Sequence, residues 1–149
     1  MPRVHATCIA IAETGILIRG PSGSGKSDLA LRLIDGGAVL VADDYVDIAP
    51  AGGRLEAATP GAIAGLIEVR GFGVVRIPYR AKVMIGLAVD LRPVEDIERL
   101  PDRTTTSIEG VSVPWIELDA QQPSAAARIR FVVNALTAGT RVTTDATGS

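Results

Sequence analysis

The stretch Gly20-Pro21-Ser22-Gly23-Ser24-Gly25-Lys26-Ser27 decides the fold, because it fits the pattern G-x-x-x-x-G-K-[ST] of a phosphate-binding loop. It follows the apolar run Ile16-Leu17-Ile18 and precedes a helical pattern, which is the context that the motif requires. Glycines let such a loop turn its N–H groups toward phosphate oxygens, and the next helix adds its positive N-terminal end. Lys26 would then reach the β- and γ-phosphates, and Ser27 would offer its hydroxyl to Mg²⁺.

Length and composition restrict the class of protein. The chain has 149 residues, the size of one ordinary domain, and 47% of them are hydrophobic, enough for a substantial core. The net charge of −2 lacks the basic excess of a nucleic-acid-binding protein, and no apolar run has the length of a membrane span. Cys8 is the single cysteine, so we expect no intrachain disulfide and a reducing, cytoplasmic setting.

Hydrophobic patterning predicts an α/β fold in which a mostly parallel sheet carries flanking helices. A helix follows the loop and ends at Gly36-Gly37, and a short helix is predicted over residues 60–66. A C-terminal helix over 124–136 shows apolar Ala127, Phe131 and Ala135 at a spacing of four. The predicted domain is therefore 1–136, followed by a disordered tail, 137–149. Strands are predicted at 7–12, 15–19, 39–42, 46–48, 54–56, 67–70, 74–75, 84–91 and 111–118, the last interrupted at Pro114.

The sequence makes specific predictions for one turn and one strand end. The first two strands are joined at Glu13-Thr14-Gly15, where we expect the glycine to adopt a positive φ. The apolar strand 39–42 ends in Asp43-Asp44, at the edge where a parallel sheet opens into its ligand crevice. Adjacent strand residues point to opposite faces, so one aspartate is expected to face the metal and the loop and the other the substrate hydroxyl.

The order of these motifs resembles one family. Val4-His5, the phosphate loop and Val41-Ala42-Asp43-Asp44 are followed by Leu66-Ile67-Glu68-Val69-Arg70-Gly71-Phe72-Gly73-Val74, and together they resemble HPr kinase/phosphorylase. The resemblance implies a P-loop-containing nucleotide-binding sheet of the HPr kinase/PEP carboxykinase-like type. It also implies an enzyme that uses ATP and Mg²⁺ to phosphorylate a serine of HPr, the small phosphocarrier of the bacterial sugar phosphotransferase system.

The resemblance assigns roles to individual residues. Lys26 and Ser27 correspond to the phosphate-binding lysine and a metal ligand, and Glu68 corresponds to a second magnesium ligand. His5 and Arg99 correspond to further active-site residues, the arginine less securely. The Asp43-Asp44 pair includes the group that takes the proton from the substrate serine; Asp44 is favoured, and the choice between the two stays open. The nucleotide-binding residues are Gly20, Pro21, Ser22, Gly23, Ser24, Gly25, Lys26 and Ser27.

The chain also departs from the family pattern. After Pro114 it reads Trp115-Ile116-Glu117-Leu118, without the Gly-Arg-Asn-like stretch that the family ties to dephosphorylation. We therefore expect kinase activity with weak or absent phosphorylase activity, in a short form without the N-terminal regulatory domain. The resemblance further implies a homo-oligomer, commonly a hexamer, for which Trp115 and the C-terminal helix are plausible contact surfaces or equally core.

Two other functions remain as alternatives. One is a P-loop kinase that acts on a small molecule, and the other is a non-catalytic regulator that binds ATP. The resemblance places the paired aspartates and the Glu-Val-Arg-Gly segment in a protein kinase, which argues against the first. A pure nucleotide sensor could dispense with a catalytic base, which argues against the second.

Overall fold

The computed structural model describes residues 2–139 and contains eleven strands and two α-helices. The predicted tail lies outside the described residues from position 140, and the last helix includes Thr137, one residue beyond the predicted limit. No helix in this described part is long and apolar enough to cross a membrane. The elements are β1 (Arg3–His5), β2 (Thr7–Ile11), β3 (Thr14–Arg19), α1 (Lys26–Asp35), β4 (Val39–Ala42), β5 (Tyr45–Ala51), β6 (Arg54–Ala58), β7 (Leu66–Val69), β8 (Gly73–Arg76), β9 (Lys82–Leu91), β10 (Thr105–Ile108), β11 (Val111–Leu118) and α2 (Ala125–Thr137).

The long strand β9 is the centre of the main sheet. One of its edges pairs in parallel with β3; the other pairs with β6 along its first half and with β11 along its second half. The remaining strands extend the sheet outward as β2 and β4 beyond β3, and as β5 and β1 beyond β6. Strands β7 and β8 form a separate hairpin, and 3₁₀ turns occupy Gly61–Ile63 and Val94–Asp96.

The expectation of a mostly parallel sheet is wrong. In the described part of the main sheet, β3–β9 and β9–β11 are parallel and every other pair is antiparallel. Short turns join β2 to β3, β5 to β6 and β10 to β11, and a short turn can only produce antiparallel neighbours. Strand β9 can pair in parallel with β3, because the long stretch of chain between them allows β9 to start from the same end of the sheet as β3.

Apolar side chains cover both faces of the sheet, and β9 contributes to both cores. Val83, Ile85 and Ala88 belong to one buried cluster, and Leu87 and Val89 belong to the other. Leu87, Ala88 and Val89 alternate between the two faces, so this strand is buried on both sides. The pairing of β3 with β9 shifts register opposite Ile85 and Leu87, and this is where the odd-numbered residues of β9 change from one cluster to the other. The second cluster also contains the inward-facing residues of α1 and α2, so both helices pack on the same face of the sheet.

Helix α2 packs through a different face from the predicted one. Ile129 and Val133 are buried, whereas Ala127 is exposed, Ala135 is half-buried, and Phe131 is 77% exposed. The helix carries two apolar stripes, and spacing alone does not say which stripe meets the sheet. The observed contact places two branched side chains against the core and leaves the single aromatic ring of the helix outside.

Strand β11 runs without interruption through Pro114, contrary to the expected break. Pro114 is the last residue paired with β10, and Trp115 is the first paired with β9. A proline without an N–H is tolerated where a strand changes its partner. Trp115 is 8% exposed and therefore part of the core. The sequence alone leaves open whether this residue lies in the core or on a contact surface.

A polar network ties the three parallel strands together. Arg19 of β3 donates from Nε and Nη2 to the two carboxylate oxygens of Asp90 on β9, at 2.7 and 3.0 Å. Trp115 of β11 donates from Nε1 to Asp90 Oδ2 at 2.8 Å. Since Gly20 follows Arg19 directly, this half-buried network fixes the strand end from which the phosphate loop begins.

The turn between β2 and β3 places its positive φ at Ala12 rather than at Gly15, which corrects the expected role of that glycine. Gly15 lies within β3, opposite the first half of β9. A Cβ atom at Gly15 would lie 2.6 Å from Val83 Cγ1 and 2.8 Å from the carbonyl oxygen of Met84. The position therefore excludes a side chain because two strands approach closely there.

Replacing Gly15 by alanine should destabilise the protein by about 1–3 kcal/mol, because the added methyl group overpacks the β3–β9 contact. Urea unfolding followed by circular dichroism measures the loss. Gly61→Ala is the matched control, since a Cβ atom there meets no other atom within 4 Å. An equal midpoint for the two variants would contradict the assigned close approach.

Candidate active site

A cleft of about 410 Å³ lies at the carboxyl ends of β3 and β4, which run in the same direction on either side of β2. The phosphate loop, the first turns of α1, and the β7–β8 hairpin surround it. Its walls bring together most of the residues that the sequence predicts for the site. They are His5, Thr7, Ser22, Gly23, Gly25, Lys26, Ser27, Asp28, Leu31, Asp44, Glu68, Arg70 and Gln121.

The phosphate loop has the curled backbone that its glycines predict. Gly23 and Gly25 adopt φ values of 81° and 96°, in the left-handed region that favours glycine. The N–H of Ser24 donates to the carbonyl of Pro21 at 3.1 Å, which closes the turn. Helix α1 begins at Lys26 directly after Gly25, so the positive end of its dipole points into the cleft.

The side chain of Lys26 folds back over the loop. Its Nζ donates to the carbonyl oxygens of Gly20 at 2.7 Å and Pro21 at 3.0 Å, and the residue is 8% exposed. Burial lowers the pKa of Lys26 below its ordinary value, while the carboxylates of Asp44 and Asp43 act in the opposite direction. The ammonium group is thus held at the loop by two backbone acceptors.

Asp43 is a buried carboxylate at the floor of the site, with 7% exposure. Its Oδ1 accepts hydrogen bonds from Thr7 Oγ1 at 2.9 Å and from Ser27 Oγ at 2.7 Å. Its Oδ2 lies 3.4 Å from the backbone nitrogen of Glu68. Asp43 therefore faces the phosphate loop and connects it to β2 and β7.

Asp44 has a different environment from its neighbour. Its backbone adopts a φ of 77°, which Asp tolerates better than most residues, and 63% of its side chain is exposed. Oδ1 of Asp44 lies 2.9 Å from Nε2 of His5, whose ring stands 5.5 Å from that of Tyr45. The two adjacent aspartates thus point to separate surroundings, one internal and one open to the cleft.

The β7–β8 hairpin supplies the opposite wall. Glu68 and Arg70 line the cleft, and Phe72 at the tip of the hairpin is 82% exposed. Gly71 has a φ of 85° and Gly73 one of 134°, which allow the tight reversal between the strands. The Glu-Val-Arg-Gly segment is therefore part of a hairpin that turns Glu68 and Arg70 toward the cleft and leaves Phe72 exposed to solvent.

Arg99 is the one predicted site residue that lies elsewhere. It is exposed and lines a separate cavity of about 640 Å³ between the 94–101 segment and α2, together with Trp115 and Phe131. Within the described part of a single chain, the structure does not bring Arg99 to the phosphate loop.

Sequence reasoning missed Thr7 and Gln121. Thr7 is a buried hydroxyl in an otherwise apolar strand, and this contrast is a signal that the sequence carries. Gln121 follows the end of β11, which is parallel to β3 and β9, so its position at the same edge depends on strand directions that the sequence did not reveal.

The walls of the cleft carry more carboxylates than cations. The carboxylates of Asp28, Asp44 and Glu68 outnumber the cations of Lys26 and Arg70 along its walls. Among the described residues, no three His, Cys, Asp or Glu side chains cluster closely enough to hold a metal by themselves. Mg²⁺ usually takes one or two carboxylates and completes its shell with phosphate and water oxygens, so the hydroxyl of Ser27 and nearby Glu68 suit it chemically.

Comparison with known proteins identifies the family. The family model of the HPr Serine kinase C-terminal domain matches residues 1–147. The chain belongs to this family. Its curated relatives include HPr kinase/phosphorylase of Clostridium tetani, 46% identical over 76 residues that cover 51% of this chain and 25% of the relative. The same enzyme of Clostridium kluyveri is 47% identical over 75 residues, covering 50% of this chain and 24% of the relative.

The fold is also that of a solved family structure. The HPr(Ser) kinase/phosphatase of Coxiella burnetii matches with a TM-score of 0.81 and 26% sequence identity, covering 93% of this chain and 98% of that chain. This likeness confirms the predicted fold class, an α/β sheet with flanking helices. The chain spans about a quarter of the length of the curated relatives that it matches.

Replacing Thr7 by valine should lower the free energy of unfolding by about 1–3 kcal/mol, because the buried carboxylate of Asp43 loses a donor. Thermal and urea unfolding measure the change. Thr14→Val is the matched control, since it makes the same hydroxyl-to-methyl change at a half-buried strand position away from Asp43. Equal losses in the two variants would show that the Thr7–Asp43 hydrogen bond is unimportant.

Proposed function

We propose that this chain is the catalytic domain of an ATP-dependent protein-serine kinase that phosphorylates an HPr-like phosphocarrier of the bacterial phosphotransferase system. The observation that carries the proposal is the contrast between the two aspartates. Asp43 is buried against Ser27, whereas Asp44 is exposed in the same cleft as Lys26. A phosphate loop with an accessible carboxylate at its mouth suits transfer of a phosphoryl group to a hydroxyl. The names of the relatives support the same activity.

Each side chain has a role in this proposal. The N–H groups of the phosphate loop hold the phosphate oxygens, and Lys26 exchanges its backbone acceptors for the same oxygens. Ser27 and Glu68 would hold Mg²⁺, which when bound would supply positive charge near the phosphoryl group. Asp44 accepts the proton of the attacking serine hydroxyl. His5 keeps the Asp44 carboxylate oriented through the 2.9 Å contact.

A protein substrate is favoured over a small molecule. Phe72, on the hairpin that walls the cleft, is 82% exposed and lies two residues beyond the cleft residue Arg70. An exposed aromatic ring beside a charged cleft is a typical anchor for a protein partner. The alternative of a nucleotide-binding regulator is disfavoured, because such a protein has no use for an exposed carboxylate beside the phosphates. The buried thiol of lone Cys8 supports a reducing, cytoplasmic setting.

Asp44→Asn should lower the rate of serine phosphorylation by about 10²–10⁴-fold, because the amide cannot accept the proton. Asparagine tolerates the same left-handed backbone, so the variant tests the chemistry rather than the fold. The measurement is incubation with labelled ATP, Mg²⁺ and HPr-type carriers, followed by mapping of the labelled residue.

Three controls accompany this assay. Asp47→Asn changes an aspartate of β5 that pairs with Arg3 outside the cleft, and it should keep the parental rate. Lys26→Ala and chelation of Mg²⁺ should both stop labelling. Full activity of Asp44→Asn, or labelling of a residue other than serine, would reject the proposal.

The reverse reaction should be weak or absent. In the family, attack of inorganic phosphate on phosphoserine also depends on the segment that this chain lacks after Pro114; here that stretch is the inner strand β11, paired with β9. Purified protein is given phosphoserine-HPr and excess phosphate, and release of pyrophosphate is followed. Rapid release would show that the missing segment is not required.

The chain should assemble into a homo-oligomer, a hexamer by family resemblance. Phe131 is 77% exposed beside the cavity that holds Arg99, which supports a contact there. Arg99 can act on a phosphoryl group only if assembly or movement of the 94–101 segment brings it to a cleft. Light scattering measures the mass in solution, and Phe131→Ser should reduce it. A mass equal to one chain for the parent protein would reject assembly.

A further inference from the structure

A second cavity, of about 340 Å³, lies on the other side of the phosphate loop. One wall is the loop itself, from Pro21 to Ser24, and the other walls are residues 91–93 after β9 and 119–121 after β11. Strands β3, β9 and β11 are parallel, so all three segments leave the sheet at the same edge. Ligands of α/β sheets bind at the carboxyl ends of such strands.

The two cavities are neighbours at the loop. Ser22, Gly23 and Gln121 border both of them. The segment that carries Gln121 packs directly on the loop, since a Cβ atom at Gly25 would lie only 3.1 Å from Cβ of Ala120. The second cavity is therefore the recess next to the first, and Gln121 lies at the boundary between them.

The second cavity has a different chemical character from the first. Leu91, Pro93 and Ala120 give it apolar walls. Its two charged side chains are already engaged: Arg92 donates to Glu117 at 3.0 Å, and the Asp119 carboxylate accepts from two backbone N–H groups. Those N–H groups belong to Val94 at 3.0 Å and Gln121 at 2.9 Å, so Asp119 ties together the two segments that form the walls.

We propose that this second cavity is the nucleoside subsite, in which a purine base lies against Leu91, Pro93 and Ala120 and the carboxamide of Gln121 meets the ribose. The inference rests on the proposed function, because it assumes that the loop holds the phosphates of a nucleotide. An apolar, preformed recess suits an aromatic base, which gains by leaving water. A carboxamide offers both a donor and an acceptor, which matches the hydroxyl groups of a sugar.

The competing location is the far end of the first cavity, beside Asp28 and Leu31 of α1. This wall is less suitable, because the Asp28 carboxylate and the Arg32 guanidinium form an ion pair there, at 3.3 Å. Displacing charged groups to seat an apolar ring carries a desolvation cost. The second cavity differs in its apolar lining, since it offers Leu91, Pro93 and Ala120 where the first offers Leu31.

Photolabelling with azidoadenosine diphosphate tests the location on the intact protein. Irradiation followed by peptide mapping should place the label within residues 91–93 or 119–121, and excess ADP should suppress it. Labelling at Asp28, Leu31 or Arg70 would overturn the proposal. So would absence of labelling in protein that binds pyrophosphate.

Calorimetric titration with ADP and with pyrophosphate distinguishes the contribution of the nucleoside to the binding affinity from that of the phosphates. Pro93→Trp fills the second cavity away from the loop, and it should weaken ADP binding about ten-fold while pyrophosphate affinity changes less than about two-fold. Leu31→Ala, in the competing location, should keep the parental ratio of the two affinities. A parental ratio in Pro93→Trp would overturn the subsite. Failure of the parent protein to bind pyrophosphate would instead reject the proposed function itself.

Discussion

The hydrogen bonds to the Asp43 carboxylate are the interaction on which the rest of the site depends. They join the hydroxyl of Thr7 on β2, the hydroxyl of Ser27 on α1, and the backbone of Glu68 on β7. A buried carboxylate is stable only when its oxygens keep their donors, so the position of each donor is constrained by the others. The phosphate loop follows a strand of the main sheet, whereas β7 and β8 form a second sheet. The Asp43 hydrogen bonds thereby hold the loop and the hairpin at a fixed separation across the cleft.

The sequence predicted the local elements well and their arrangement poorly. The loop, the helix after it, and the Gly36-Gly37 end of that helix depend on neighbouring residues, and the structure has all three. Strand directions depend on contacts between distant segments, so the mostly antiparallel sheet was not foreseen. The same limit explains helix α2: both of its apolar stripes satisfy the helical period, and only the shape of the sheet selects Ile129 over Phe131.

For the site, the loop motif and the position of the aspartate pair after a buried strand came from the sequence pattern, whereas Glu68 came from the family resemblance. What the sequence could not supply was the side-chain environment. The left-handed backbone of Asp44, which separates the exposed carboxylate from the buried one, has no sequence signal of its own, since Asp43 and Asp44 are chemically identical. Gln121 escaped notice because a glutamine after a strand is commonplace until the neighbouring strands are known.

The place of β9 between β3, β6 and β11 has a consequence for how the chain acquires its structure during synthesis. Arg19 and Asp90, which meet at the root of the phosphate loop, are 71 positions apart. Pairings between such distant segments form slowly, because a long stretch of chain must lose conformational entropy before the pairing can stabilise it. Until β9 has been synthesised, the strand that leads into the loop of residues 20–27 is paired with β2 on one edge only. The candidate site therefore gains its last neighbouring strands only after nearly the whole domain has emerged.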